Sequence, residues 1–536
     1  MSQLARRSAL VLGLGWGVLL FGIWSETALA SLKRHQGEKP QDASTPLAER
    51  IEMEKTGREL FVRDWSKSDA KPAQGGDGLG PMYNDVSCVA CHDRGGIGGG
   101  GGSNKNVRLL HLVGHKGVPL RVATPSVSER NRRQQLHPDL GAATSVMLHR
   151  HATTPDDQHS ASDPNYQHWL VKRLPASMIG PGHHSPAGAT AFPFGAAKPS
   201  SPLDSQLGTF RSDGRSLRVT ERNTTSLFGA GLIDSIPDAA IVELAAQQKK
   251  QHAPLITGRV SQTSSGEIGR FGWRGQMASL QEFVMTACAA EVGLNVPGHQ
   301  QSQRVKLPSA RDSIKTVLAN IEPNPALGLT QQQCDALTTY VASLPAPQSA
   351  RATSLEQAKS VQRGEVLFEK LGCAICHVRD VGPAAGLYSD LLLHDMGPGL
   401  SDPQPAMPEL KENSTLSPGG GYFGPSLSIE LVKNVTTNIH QEWRTPPLWG
   451  VGSSAPYLHD GRAVSLEQAI QWHGGEGQRA AEAFRALKPN ERGDLIQFLD
   501  SLAAPTENAV MRLPVRRLPP GGSGFGGSGG SGGGFF

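Results

Sequence analysis

The sequence predicts a mainly α protein made of two similar helical units, the first enlarged by a long insertion of loops and short strands. Three observations carry this reading. A short Cys- and His-containing motif occurs twice, the same apolar helical pattern precedes both copies, and the same proline-stopped helix follows both. The 536 residues leave room for two to four domains at about 100–200 residues each. With 63 Gly and 38 Pro, loops must be plentiful. The 52 basic and 48 acidic residues leave a formal charge of +4, which offers no electrostatic footprint for nucleic acid. Six Cys in so long a chain exclude a disulfide-dense scaffold, so it is their spacing that carries information.

Residues 1–30 read as a signal peptide. Arg6 and Arg7 form a positive start, Ala9 to Ile23 is an uncharged and mostly apolar run of 15 residues, and Ala28-Leu29-Ala30 offers a small-x-small cleavage site. The apolar run is short of the ~20 residues needed to span a bilayer. The expectation is therefore export with cleavage, no stable membrane span afterwards, and a mature protein in the periplasm, where thiols tend to oxidise.

The first unit starts with the helical pattern Gly57-Arg58-Glu59-Leu60-Phe61, followed by Ser87-Cys88-Val89-Ala90-Cys91-His92. The second starts with Gly364-Glu365-Val366-Leu367-Phe368, followed by Gly372-Cys373-Ala374-Ile375-Cys376-His377. Cys-x-x-Cys-His is the attachment signature of c-type haem. Two thiols three positions apart on one turn each add to a haem vinyl, and the adjacent His supplies the proximal nitrogen to iron. A structural zinc site wants further Cys or His pairs at short spacing. A thioredoxin-like motif wants a βαβ setting and needs no following His. The spacing thus implies two covalently bound c-type haems on Cys88, Cys91 and His92 and on Cys373, Cys376 and His377.

The closing helices repeat as well. Leu337 to Pro347 and Leu495 to Pro505 share the pattern Leu-x-x-aromatic-aliphatic-x-Ser-Leu-x-Ala-Pro, an amphipathic helix stopped by proline. A leading helix, a haem loop and a closing helix are what a cytochrome c-like domain needs. This gives two such domains, 48–347 and 355–505. The excess length of the first lies between its haem loop and about residue 300. There Val107 to Val113 and Val118 to Val122 alternate as short strands do, and residues 152–215 read as long loops. Residues 506–536 form a Gly-rich tail with too little apolar surface to order itself.

Longer stretches carry a family resemblance. They are Gly78 to Asn84 (GLGPMYN), Arg270 to Arg274 (RFGWR), Tyr388 to Gly397 (YSDLLLHDMG), Arg444 to Gly450 (RTPPLWG) and Tyr457 to Ala463 (YLHDGRA). Together they resemble the di-haem c-type oxidoreductases often labelled thiol oxidoreductases, relatives of bacterial di-haem cytochrome c peroxidases and MauG-like enzymes. The resemblance implies a redox enzyme with unequal haems and a calcium ion between them, for which no ligands are assigned here.

It also implies which haem does what. In the relatives, the residue fourteen after the His of the His-Asp-Gly motif is the distal iron ligand, and counting from His459 places His473 there. His473 also lies twelve residues after Gly461, and the repeated stretch after Gly275 places Ala287 at that offset. The second haem is thus expected between His377 and His473, closed to exogenous ligands and suited to electron transfer. Ala287 has no donor atom, so the first haem, on His92, is expected to stay open and to react. His111, His115, His183, His184, Met147, Met178, Met277 and Met285 are rival donors within reach by sequence. Peroxide cleavage also wants an acid or base beside the bound oxygen. The stretch Arg222 to Asp234 resembles the family segment that ends in such an acid, which nominates Asp234; a helix cap is the alternative for that residue.

The expected activity is peroxidase-like, using a small oxidant such as hydrogen peroxide together with a periplasmic electron donor or an oxidisable partner protein. The alternatives are a non-catalytic electron-transfer protein and a haem-dependent oxygenase. His394 and Met396 are further candidate haem donors, although similar His-x-x-Gly stretches in the relatives are structural, and His459 reads as positioning a loop. Trp273, Trp443 and Trp449 fit either an electron path or core packing. Cys288 and Cys334 remain outside the haem motifs, as a pair or as two buried thiols.

Overall fold

The computed structural model describes residues 46–66, most of 78–113, 145–152, most of 210–299, most of 328–402 and all of 441–505, with isolated positions between them. Residues 1–30, residues 118–122, most of 152–215, and 506–536 lie outside the described residues.

The chain is mainly α. It runs through α1 (Leu47–Val62), β1 (Met82–Tyr83), β2 (Val107–Val113), β3 (Ser145–Leu148), β4 (His151–Ala152), β5 (Phe210–Ser212) and β6 (Arg215–Arg222). Next come α2 (Ala230–Asp234), α3 (Asp238–His252), α4 (Leu280–Glu291), α5 (Gln331–Ser343) and α6 (Leu355–Lys370). Then follow β7 (Leu393–Asp395), β8 (Glu442–Arg444), α7 (Leu466–Trp472), α8 (Gln478–Ala486) and α9 (Pro489–Ser501). The strands form an antiparallel sheet in the order β3-β2-β6-β5 and two small pairs, β1-β4 and β7-β8. The expected strand at 107–113 is thus β2, the inner partner of β6.

Local chemistry explains where the helices begin. Ser279, Thr330, Ser354 and Ser465 each accept the backbone N–H three residues on, at Glu282, Gln333, Gln357 and Gln468. These are four N-caps of the Ser/Thr-x-x-Glu/Gln type. At Thr330 the box is reciprocal, because the Gln333 side chain accepts the Thr330 N–H at 2.9 Å.

The sequence repeat becomes a repeated helix crossing. α1 packs on α5, and α6 packs on α9. In each pair a glycine lets the two backbones meet: a Cβ on Gly57 would run into the Ala336 carbonyl and Tyr340, and one on Gly364 into the Asp494 carbonyl and Phe498. Four residues after each glycine stands Phe61 or Phe368. Phe61 lies 5.4 Å from Tyr340 and 6.3 Å from the His92 ring. Phe368 lies 5.3 Å from Phe498 and 6.2 Å from the His377 ring. The same crossing thus seats the same aromatic beside each motif histidine.

The glycines are predicted to be structural rather than incidental. Alanine at 57 or 364 gains at most ~1 kcal/mol of helix propensity, against about 1–3 kcal/mol of overpacking onto a carbonyl that cannot move aside. Both variants should therefore melt several degrees lower. An unchanged or raised melting temperature would remove this account of the crossing.

The two units share apolar core. Val381, Ala384, Leu387, Leu391 and Leu392 follow the second motif in sequence, yet they pack with Phe61, Leu227, Leu280, Leu337 and Trp449. A smaller cluster holds Phe368, Tyr388, Leu466, Phe484, Leu495 and Phe498. Among the described residues, no helix is long and apolar enough to cross a membrane.

Candidate haem-binding and active site

The three expected iron ligands share one local design. His92 turns its Nδ1 to the Gly99 carbonyl at 3.1 Å, His377 to that of Tyr388 at 2.9 Å, and His473 to that of Ala469 at 2.8 Å. A carbonyl only accepts, so Nδ1 carries the proton and Nε2 keeps its lone pair for a metal. Burial pushes the His92 and His377 imidazoles down to about 4, and it lowers His473 as well, so all three are neutral ligands at pH 7.

Two neighbouring cavities receive these rings. His377 and His473 line one of about 750 Å³, together with Cys373 and Cys376. His92, Cys88 and Cys91 line a smaller one of about 110 Å³. Asn223, Leu227, Gly272, Trp273 and Phe283 border both. In each, two thiols and a neutral imidazole face apolar walls, a donor set that fits a haem. The larger cavity also holds a buried donor in want of an acceptor, Trp449 Nε1, which has no hydrogen-bond partner among the described residues.

The two sites differ on their far walls. His473, the cap residue just past α7, lines the larger cavity together with His377. The His92 cavity is walled by α4, whose Phe283, Ala287 and Glu291 recur every four residues along one face. At the offset of His473 there is a methyl group. Of the rival donors, His111, Met147, Met277 and Met285 do not line the His92 cavity. His111 Nε2 is 2.7 Å from Thr220 Oγ1, and Met147 Sδ accepts from Asn84. His115, Met178, His183 and His184 lie outside the described residues.

Asp234 is placed differently from its nomination. Its Oδ1 accepts the Leu280 N–H at 2.8 Å, at the start of α4, and it lines neither cavity. Two carboxyls line the His92 cavity: Asp85, which pairs with Lys105, and Glu291, which accepts from the Asn84 amide and is the candidate proton carrier. Burial pushes the Glu291 carboxyl up to about 7, and the Asn84 amide and the Arg150 guanidinium oppose that rise. Sequence reading passed over Glu291, although a signal was present: it lies four residues, one helical turn, beyond Ala287, a position already singled out.

The remaining candidates settle as follows. His394 is buried between Asp390 Oδ2 at 2.9 Å and Glu476 Oε2 at 2.6 Å, so both ring nitrogens are engaged. Burial lowers the imidazole, but the Asp390 carboxylate and the Cys376 sulfur outweigh it and hold His394 well above its ordinary range. His459 stacks on Trp443 at 3.7 Å, while the Arg274 guanidinium lies 3.9 Å from the same ring centre. Two groups that close to one centroid must occupy opposite faces, so Trp443 is sandwiched. Met396 lines the larger cavity. Cys288 and Cys334 are both free and buried. Among the described residues, the close cluster of Cys, His and acidic donors is Cys376, Asp390 and His394. Its single carboxylate already accepts from Gln248, Leu392 and His394, so it offers no oxygen cage for calcium.

Comparison with known proteins places the chain in a family. The family described as "Di-haem oxidoreductase, putative peroxidase" matches residues 197–413 and 433–502, more than half of the chain. That stretch contains the second motif and His473 and starts beyond the first motif. The chain is 27% identical over 260 residues to the cytochrome-c peroxidase IdrP1 of Pseudomonas sp. (strain SCT), covering 46% of this chain and 68% of that protein. It is 28% identical over 256 residues to the methylamine utilization protein MauG of Methylorubrum extorquens, covering 46% of this chain and 63% of that one. A solved MauG-like protein associated with microbial copper homeostasis aligns at 19% identity and a TM-score of 0.25, covering 47% of this chain and 79% of that one. On the extent of the family match, this chain belongs to the di-haem oxidoreductases.

Proposed function

We propose that the protein is an exported, periplasmic di-haem c-type oxidoreductase with peroxidase-like activity. In this reading it comprises two cytochrome c-like domains, with one haem held covalently by Cys88 and Cys91 and ligated by His92. The second is held by Cys373 and Cys376 and ligated by both His377 and His473. The observation that carries the proposal is the inequality of the far walls: a neutral, oriented imidazole at 473 and a methyl group at 287.

When bound, the haem held by His92 would supply redox chemistry, through which two electrons from the donor and two protons convert hydrogen peroxide to two waters. The chain's own residues do the rest. Ala287 leaves room for the oxidant, and Phe283 and Val284 keep the wall apolar. Glu291, poised near neutrality, takes a proton from one peroxide oxygen and returns it to the departing one. Trp273 stands in the wall common to both cavities, with its Nε1 donating to the Asn223 carbonyl at 2.9 Å, and offers an aromatic step for electrons between the sites. Trp443 is a poor step, because the Arg274 cation against its face opposes loss of an electron. Burial lowers that guanidinium only to about 9, so it stays charged at pH 7. Electrons would arrive from a periplasmic donor or from an oxidisable partner protein.

The test is the spin state of each iron. Electron paramagnetic resonance of the oxidised protein should give one high-spin and one low-spin signal, and the reduced protein should bind one carbon monoxide. Two low-spin, carbon monoxide-silent haems would leave only an electron carrier. Turnover with dioxygen in place of peroxide would mark an oxygenase. His473→Ala should convert the low-spin signal to high spin and raise carbon monoxide binding from one to two per chain. An unchanged spectrum refutes ligation by His473.

A further inference from the structure

The loop that leads into the first haem motif also grips the end of α4. Gly80 N–H donates to the Val292 carbonyl at 3.4 Å, and Asn84 N–H donates to the Glu291 carbonyl at 2.7 Å. A Cβ on Gly80 would strike the Gly293 carbonyl, so the two segments touch backbone to backbone. The Asn84 side chain, only 3% exposed, then reaches the acid itself: Nδ2 donates to Glu291 Oε2 at 2.6 Å and to Met147 Sδ at 3.0 Å. Its orientation is determined from the other side, where Oδ1 accepts the Arg150 backbone N–H at 3.1 Å, a group that can only donate.

We infer that Asn84 is the positioning residue of Glu291, holding the carboxylate toward the His92 cavity and favouring its ionised form. The inference rests on the reading of Glu291 as the proton-transfer group. An amide suits the place for a physical reason. It donates to the carboxylate without adding charge, whereas an aspartate there would set two anions against each other in a buried wall. Other charged or titratable groups face Glu291 from the surrounding elements. The Arg150 guanidinium acts on it electrostatically, Asp85 and Lys105 line the same cavity and pair with each other, the Cys91 sulfur shares that lining, and His149 Nε2 meets the Ala290 carbonyl at 3.0 Å. Burial keeps His149 neutral, down at about 4, so it does not titrate together with Glu291.

The experiment compares Asn84→Ala and Asn84→Asp with the parent, each as the protein loaded with both haems. Asp keeps the acceptor for the Arg150 N–H but loses the donor to Glu291, so it separates positioning from mere structure. The first readout is the infrared band of the protonated Glu291 carboxyl followed against pH and assigned by its loss in Glu291→Gln. The second is the pH profile of peroxide reduction. In both variants the two midpoints should rise by about one to two pH units, the size expected for loss of a hydrogen bond to a charged group. The resonance signals of both irons should stay as in the parent. Unmoved midpoints with intact haem signals overturn the inference. Should Asn84→Ala fail to load haem, Asn84→Asp decides alone. If Glu291→Gln keeps the parent rate, the catalytic reading of Glu291 falls, while the infrared midpoint still reports whether Asn84 sets its ionisation.

Discussion

Replacing Glu291 by Gln should slow peroxide reduction by roughly 10²- to 10⁴-fold, the usual worth of a positioned acid–base group. Gln has nearly the same shape, and its amide oxygen can still accept from Asn84 Nδ2, so the wall of the cavity should survive. What it lacks is a site that binds and releases a proton. The pH dependence sharpens the test. Burial pushes the Glu291 carboxyl up to about 7, so the ionised form, which accepts the proton, is present above that pH. The parent rate should fall as pH drops through about 7, and this acid limb should vanish in the variant. Stopped-flow mixing with peroxide across pH 5.5–8.5 or so would measure both effects. A variant with the parent rate and the parent limb would show that another group moves the proton.

Ala287→His should have an effect at least as large by a different route. His473 stands twelve residues after Gly461, and residue 287 stands twelve after Gly275. The new imidazole would enter the His92 cavity from α4 and cap the open iron face. The high-spin signal should give way to a second low-spin one, carbon monoxide binding should fall from one to none, and peroxide reduction should drop to background. Paired with His473→Ala, this variant exchanges the characters of the two sites. A high-spin signal that persists in a folded Ala287→His protein would mean that α4 does not face the iron.

The division between what was legible and what was not follows the range of the interactions. The haem motifs were readable because covalent attachment needs two thiols and a ligand on one turn, a local geometry written within five residues. The helix starts follow the same local logic, although the sequence reading did not pick them out: Ser279, Thr330, Ser354 and Ser465 cap amides three positions away. The Gly57 and Gly364 crossings were half readable. The repeat announced a shared role, while the carbonyls that demand glycine belong to α5 and α9, far along the chain.

The nominated acid does not reach either cavity. Asp234 was nominated by likeness to a family segment, yet its carboxylate serves the start of α4. Glu291 became visible only when α4 was packed across the His92 cavity, with Asn84 brought to it over 207 positions of chain. The shift of its carboxyl to about 7 likewise belongs to no local pattern, because it arises from burial.

By itself, then, the sequence determined what depends on neighbours in the chain: the two Cys-x-x-Cys-His turns and the helices that flank them; the family resemblance added the expected contrast between His473 and Ala287. The tertiary structure decided that Glu291 joins Asp85 at the first cavity, which tryptophan borders both cavities, and how residues 381–392 complete the other unit's core. The physical reason is that covalent and capping geometry acts over a few residues. Desolvation, charge coupling and close packing depend on which distant segments come to lie side by side.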